Sequence, residues 1–398
     1  MNSRIDGLDS AGGHDDVNDV NAVDGANGVR NDVHGVDDRP GRPLRSGVGA
    51  RLASPDGDER GEQWTEKLWT AVEAGDEYSA ADVVADALAA GLEPEAVLLD
   101  VIGAVQHRVG IEWAANRMSV AGEHAATAIN DRVIATLPMQ RPVAGRGRVM
   151  VACVDQEWHA LPARLLAETL RLRGWQVDYL GAQVPTAHLI GHIHRTGPDA
   201  VCLSGSLPTR LPIAHNAITA VQATGTPVMA GGLAFGVDGR YARLLGADAW
   251  APEARAAADL LADPLPRPAP AHQVINDLPH LGDQEYTLVA KSSTRLVRDT
   301  FKRLEQLYPA VSDYTDAQRE RTAEDLAHIV DFLTAALYVD APEIFADFLS
   351  WTAHILTARG VPAHSLLPGL DLLEEQLRDF PRARHLIAAG RTALDARP

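Results

Sequence analysis

The stretch Arg148–Ala163, RVMVACVDQEWHALPA, limits what this chain can fold into more than any other. Its run from Val149 to Val154 is short, apolar and uncharged, as expected of a strand buried on both faces of a parallel sheet. Asp155 and Gln156 close the run, and the helical spacing of Leu161 to Arg173 follows at once. Glu157 and His159 therefore fall in a strand-to-helix turn. In an open α/β sheet, ligands collect in the crevice outside the carboxyl ends of the strands, so a histidine there is presented to a ligand. Space beneath it fits an axial metal ligand, with Glu157 close enough to tune its tautomer or basicity.

Four further apolar runs follow, Gln176–Tyr179, Ala200–Ser204, Val228–Ala230 and Ala247–Trp250, separated by helical patterns. This alternation predicts a doubly wound, Rossmann-like α/β domain over residues 147–263. No G-x-G-x-x-G follows the first strand, so a dinucleotide is not indicated. Two other strand ends share the expected crevice. Ser204, Ser206 and Leu207 follow the third strand with small hydroxyl groups, and Gly231-Gly232 after the fourth lets a flat group approach the backbone. Cys153 and Cys202, the only cysteines, fall in core strands and read as small buried hydrophobes of a reducing compartment.

Around this domain the composition changes. Residues 1–62, rich in Asp, Asn, Gly and Val, bury too little apolar surface to offset their ordering entropy and are expected to form a disordered tail. Residues 63–140 read as a helical bundle, with apolar spacing over Glu66–Ala74, Ala80–Ala90 and Pro94–Val109. A last helix is capped by Ser119, with Glu123 near the capping-box position. Residues 264–285 are a Pro-rich linker, and 286–398 are helical throughout, which predicts a separate all-α domain. A net charge of −18 disfavours a nucleic-acid partner. With no signal-like start and no apolar run of membrane-spanning length, the expectation is a cytoplasmic protein without a membrane partner.

The middle domain resembles the cobalamin-binding fold, whose pattern is D/E-x-H-x-x-G, then S-x-L or S-x-T/S-L, then G-G. Glu157, His159, Ser204, Ser206-Leu207 and Gly231-Gly232 match, while Pro162 stands where the family has Gly. The resemblance implies that His159 is the lower cobalt ligand and that the dimethylbenzimidazole tail lies beside Ser204, Ser206 and the glycines. In the bundle, Trp113 followed after nine residues by Glu123-His124 resembles the W-x9-E-H signature of cobalamin photoreceptors. There this trio surrounds the adenosyl group of adenosylcobalamin, the aromatic packing on the nucleoside while Glu and His bind its polar edges. Ala114 replaces the His that follows the Trp in well-known members, so trapping of the photoproduct by that residue is excluded. The resemblance departs from those photoreceptors in their usual N-terminal helix-turn-helix module, which is expected to be missing here.

The C-terminal stretch from Arg321, RTAEDLAHIVDFLTAALYVDAPEIFADFLSWTAHILTARGVPAHSLLPGLDLL, resembles the globin-like fold of phycobiliproteins. Asp325-Leu326, His328, the turn Asp340-Ala341-Pro342 and Arg359-Gly360-Val361-Pro362 carry the likeness. It implies that Asp325 receives the pyrrole N–H groups of a bilin. Thr322 stands at the attachment cysteine, so a bilin here would be held non-covalently, which favours biliverdin. Glu324 replaces the family's Arg, leaving Arg321, Lys302 or Arg303 to meet propionates, and His328, Trp351 and His354 are further lining candidates. A ligand-free signalling domain and a haem globin with His354 or His364 as ligand remain open alternatives. The combination resembles the dual-chromophore photoreceptors called photocobilins. It implies a non-enzymatic light sensor, a homo-oligomer whose assembly depends on light, acting on an unidentified signalling protein. The competing reading is a corrinoid carrier or a component of a cobalamin-dependent methyltransferase or mutase.

Overall fold

The computed structural model describes residues 45–46, 55–138, 141–268, 278–308 and 314–396, with side chains described from residue 61 onward. Most of the expected disordered tail, residues 1–44 and 47–54, lies outside the described residues, as does 269–277 of the expected linker. Two features correct the tail's boundary at residue 62. Arg45–Ser46 forms a short strand, β1, and helix α1 begins at Pro55.

The cap is built from α1 (Pro55–Glu73), α2 (Glu77–Ala89), a long helix from Pro94 to Ala114 and α5 (Val120–Ile134). The long helix contains α3 (Pro94–Ala96), a π-helical segment, Val97–Ile102, and α4 (Gly103–Ala114). Leu68, Val84, Leu98, Ile102, Val105 and Val133 close its core, which Leu161 of the sheet domain also enters. Ser119 caps α5 as expected, accepting from the Gly122 N–H at 3.1 Å. Glu123 is not its capping-box partner; its carboxylate turns to His124 and Thr127 instead.

The expected strands are all present: β2 (Arg148–Cys153), β3 (Gln176–Gly181), β4 (Ala200–Ser204), β5 (Val228–Gly231) and β6 (Ala249–Ala251). The sheet is parallel throughout, in the order β1-β6-β5-β4-β2-β3. From β2 the chain goes outward to β3 and then returns across β2 to β4. The crevice of an open α/β sheet forms at such a reversal, here between the carboxyl ends of β2 and β4. Alternate strand residues point to opposite faces. Val149, Val151 and Cys153 pack under α6 (Ala160–Leu172) and α10 (Ala254–Leu260), while Met150, Ala152 and Val154 lie on the face covered by α7 (Thr186–Thr196), α8 (Leu211–Ala223) and α9 (Arg240–Leu244).

The C-terminal region is helical, as expected: α11 (Glu285–Leu307), α12 (Asp316–Val339), α13 (Pro342–Ala358), α14 (Leu367–Gln376) and α15 (Pro381–Asp395). Thr315 and Gln318 form a capping box at the start of α12. The buried Glu285 accepts from the backbone N–H groups of Arg382 and Ala383 and so closes the first turn of α15. One expectation needs correction: these helices are not a self-contained unit. Their core is continuous with the α7–α8 face of the sheet domain. The buried Tyr338 meets His215 Nδ1 at 2.8 Å, and Glu343 accepts from both Arg240 and Tyr241.

Candidate functional site

The site begins with the residue that turns the chain after β2. Gln156 takes a left-handed φ of 65°, and the Glu157 N–H then donates back to the Val154 carbonyl at 3.0 Å. This drives the Glu157 side chain inward, where it is fully buried. A buried carboxylate is tolerated only when donors surround it. Oε2 accepts from the backbone N–H groups of Ser206 at 2.7 Å and Leu207 at 3.1 Å. Oε1 accepts from the His159 N–H at 3.0 Å and meets His159 Nδ1 at 2.6 Å. The Glu157 carbonyl accepts from the Gln183 N–H at 3.2 Å. One residue thereby ties together the loops after β2, β3 and β4.

Electrostatically, burial alone would push the Glu157 carboxyl up. The hydrogen bond and charge of His159, with the backbone N–H groups of His159 and Ser206, outweigh it and hold the group below its ordinary value. An ionised carboxylate only accepts, so the proton between the two side chains sits on His159 Nδ1. The ring is thus fixed in the tautomer whose Nε2 is the basic nitrogen, the arrangement that suits a metal-binding imidazole. Cys153 adds a weak bond from its thiol to the His159 carbonyl at 3.7 Å; burial, reinforced by the nearby Glu157, pushes that thiol up to about 12.

Ser204, Ser206 and Leu207 are buried beside Glu157, so the structure brings together the first two expected strand ends. At the third, the structure adds a packing role for a glycine. Gly232 has φ 95°, and a Cβ there would lie 2.3 Å from the Gly205 carbonyl oxygen. The missing side chain is required first for the β5 loop to pack on the β4 loop, not only for a ligand's approach. Ala234 N–H completes that contact by donating to the Gly205 carbonyl at 3.0 Å.

Within the cap, Trp113, Glu123 and His124 have different surroundings. Trp113 is buried, yet it is not among the residues of the bundle core. Its ring stacks instead on Trp351 of α13, centroids 6.2 Å apart, with the Arg359 guanidinium 5.2 Å above it. Glu123, largely buried, accepts from Thr127 at 2.9 Å, and a polar chain continues through Gln106 to Asn130. His124 meets Glu123 through Nδ1, but its side chain is 59% exposed.

The C-terminal candidates differ in burial, although Arg321 and His328 both act electrostatically on Asp325. Asp325 and His328 are half-buried on α12, and Arg321, one turn earlier, is exposed. Burial pushes the Asp325 carboxyl up, and Glu324 adds to this; His328, Arg359 and Arg321 offset it only in part. Among the described residues no donor is hydrogen-bonded to that carboxylate. His328 Nδ1 is engaged with the Glu324 carbonyl at 2.8 Å. Trp351 continues a row of rings formed by Phe332 and Phe348, whereas His354 on the same helix is exposed. Sequence reasoning missed Arg359, noted only as part of a turn, and Arg210. The latter follows Leu207 in a short 3-10 turn, Pro208–Arg210, reaches Gln156 at 3.5 Å and interacts electrostatically with Asp331 of α12.

Comparison with known proteins agrees with this geometry. Residues 147–262 and residues 64–137 each match a family model described as a B12 binding domain. The matches indicate a corrinoid cofactor. The chain is 30% identical over 196 residues to the HTH-type transcriptional repressor CarH of Myxococcus xanthus, covering 48% of this chain and 64% of that protein. It is also 30% identical over 146 residues to the HTH-type transcriptional repressor CarA of the same organism, covering 36% and 48% respectively. The chain thus spans less than two thirds of either relative. Similar solved structures include the monomethylamine corrinoid protein of Methanosarcina barkeri, with a TM-score of 0.44 and 19% identity over 50% of this chain and 98% of that one. A cobalamin-binding protein from Desulfitobacterium hafniense has a TM-score of 0.28 and 19% identity over 52% of this chain and 97% of that one. No helix among the described residues is long and apolar enough to cross a membrane.

Proposed function

We propose that this chain is a non-enzymatic light sensor that holds adenosylcobalamin in the crevice between β2 and β4, with His159 Nε2 as the lower cobalt ligand. The observation that carries the reading is the Glu157 network, which holds the imidazole at the strand reversal through its Nδ1. The residues present fit the group: a single oriented imidazole, buried small hydroxyl side chains at Ser204 and Ser206, and a cap whose Trp113 lies outside its own core. When bound, adenosylcobalamin supplies a Co–C bond that light breaks. The chain's own part is to orient His159, keep water from the crevice and place Trp113 and Glu123 near the nucleoside.

The C-terminal helices, read as globin-like, would hold biliverdin non-covalently. Asp325 would accept the pyrrole N–H groups, and Arg359 joins Arg321 as a cation for the propionates. The raised Asp325 carboxyl supports this, since it lacks donors that a bilin supplies. Signalling would pass through the Trp113–Trp351 stack, which links cap to C-terminal helices and would be remade when the nucleoside leaves. The expected readout is a light-dependent homo-oligomer acting on a signalling protein, without nucleic-acid or membrane binding.

The test is an absorption spectrum of the adenosylcobalamin-reconstituted protein, dark and illuminated. The proposal predicts a changed cobalamin spectrum after light. An unchanged spectrum, with methylcobalamin bound in preference, would instead support a corrinoid carrier. Co-expression with a haem oxygenase is expected to give a green protein whose red band shifts or disappears in Asp325→Ala.

A further inference from the structure

We infer that Gln183 is a positioning residue for the corrinoid, donating a hydrogen bond from its side-chain amide to an oxygen of the bound cofactor; this rests on the reading that a corrinoid occupies the crevice beside His159. Gln183 lies in the loop between β3 and α7, and its backbone N–H holds the Glu157 carbonyl. Its φ is 54°, in the left-handed region. Asn and Asp tolerate that conformation through short side chains that bond locally, but Gln has no such compensation. A backbone role alone would be served by Gly with less strain.

A second, independent observation concerns the side chain. The Gln183 Nε2 is closed to solvent and has no hydrogen-bond acceptor among the described residues. Buried donors are rarely left in that state. The residue as a whole is only half-buried, so its side chain borders the surface, and a half-turn about the terminal torsion exchanges its two amide atoms. Strain gathers at this point of the molecule: of the five non-glycine residues with positive φ among those described, Gln156 and Gln183 lie in the two loops joined through Glu157. Backbone strain and an unsatisfied donor at one ligand crevice are what a binding residue shows before its partner arrives.

A corrinoid offers two kinds of oxygen acceptor, the amide carbonyls on its rim and the phosphate of its nucleotide tail. The experiment titrates the full chain with hydroxocobalamin and with cobinamide, which keeps the rim amides but lacks the nucleotide, following the visible spectrum. Gln183→Met keeps the length and removes the donor; Gln183→Gly also removes the strain. Both variants are expected to bind cobalamin about tenfold more weakly. The ligand-free Gln183→Met protein is expected to unfold at the wild-type temperature or above. An equal loss with cobinamide assigns the acceptor to the rim; a loss confined to cobalamin assigns it to the tail. Cobalamin affinity within twofold of wild type in Gln183→Met would overturn the inference, as would weakening matched by lower stability of the ligand-free protein. Failure of the wild-type chain to bind any corrinoid would instead remove the reading beneath it.

Discussion

Glu157 and Asp325, the central carboxylates of the two candidate sites, have opposite electrostatics. Glu157 is fully buried yet held below its ordinary pKa; Asp325 is less deeply buried yet pushed above it. Depth alone does not decide the charge state. Three backbone N–H groups and an imidazole converge on Glu157, while Asp325 has charges near it but, among the described residues, no donor in contact. The first site is therefore closed within the protein itself, whereas the second leaves its carboxylate without a donor among the described residues.

The largest test of this contrast is Glu157→Ala. It leaves the buried N–H groups of Ser206 and Leu207 without an acceptor and removes the buried hydrogen bond to His159, at an expected cost of about 3–5 kcal/mol in denaturant unfolding. A loss below about 1 kcal/mol would mean the three loops are held otherwise. His159→Ala is expected to separate binding from folding. Stability falls by about 1 kcal/mol, since Glu157 keeps its backbone donors, while corrinoid affinity falls about 10–100-fold. Equal losses in both would place His159 in packing rather than at the ligand.

Asp325→Asn is expected to act with the opposite sign. A carboxyl raised in the folded state contributes stability below its ordinary 3.8 and loses it as pH rises through the folded value. A neutral amide avoids that loss, so the ligand-free variant is expected to melt higher at neutral pH, with the gain vanishing below pH 3.8. Glu157, being depressed, contributes stability above 4.5 that is lost as pH falls through its folded value. A neutral-pH loss in Asp325→Asn would erase the distinction between the sites. The smallest effect belongs to Arg359→Gln, where removal of an exposed cation from the Trp113 ring is expected to cost about 0.5–1 kcal/mol in thermal melting.

The sheet domain was legible because its signals are local. Apolar runs of strand length mark β2, β4 and β5, and a polar pair followed by a helical period marks the turn that holds Glu157 and His159. Contacts between elements were less legible. Tyr338 and its neighbours on α12 read as helix core, but nothing in their spacing says that His215 of α8 lies against them. Trp113 read as a ligand residue without indicating that Trp351 would cover it. Gly232 reads as space for a cofactor, and nothing in the sequence says that the Gly205 carbonyl lies against it. His124 follows from the W-x9-E-H spacing and His354 from its helix, and neither signal fixes exposure; both are exposed. The π segment, Val97–Ile102, has no periodicity that separates it from an ordinary helix.

The central claim is that His159 Nε2 ligates cobalt, and electron paramagnetic resonance reads that bond directly. The full chain is prepared with nitrogen-15 histidine, loaded with cobalamin and reduced to the Co(II) state. The account predicts that each cobalt line, split into a triplet by an axial nitrogen-14, becomes a doublet with the label, and that His159→Ala loses this response. A splitting that stays a triplet in the labelled protein would show that the axial nitrogen belongs to the cofactor's own tail and would contradict the assignment.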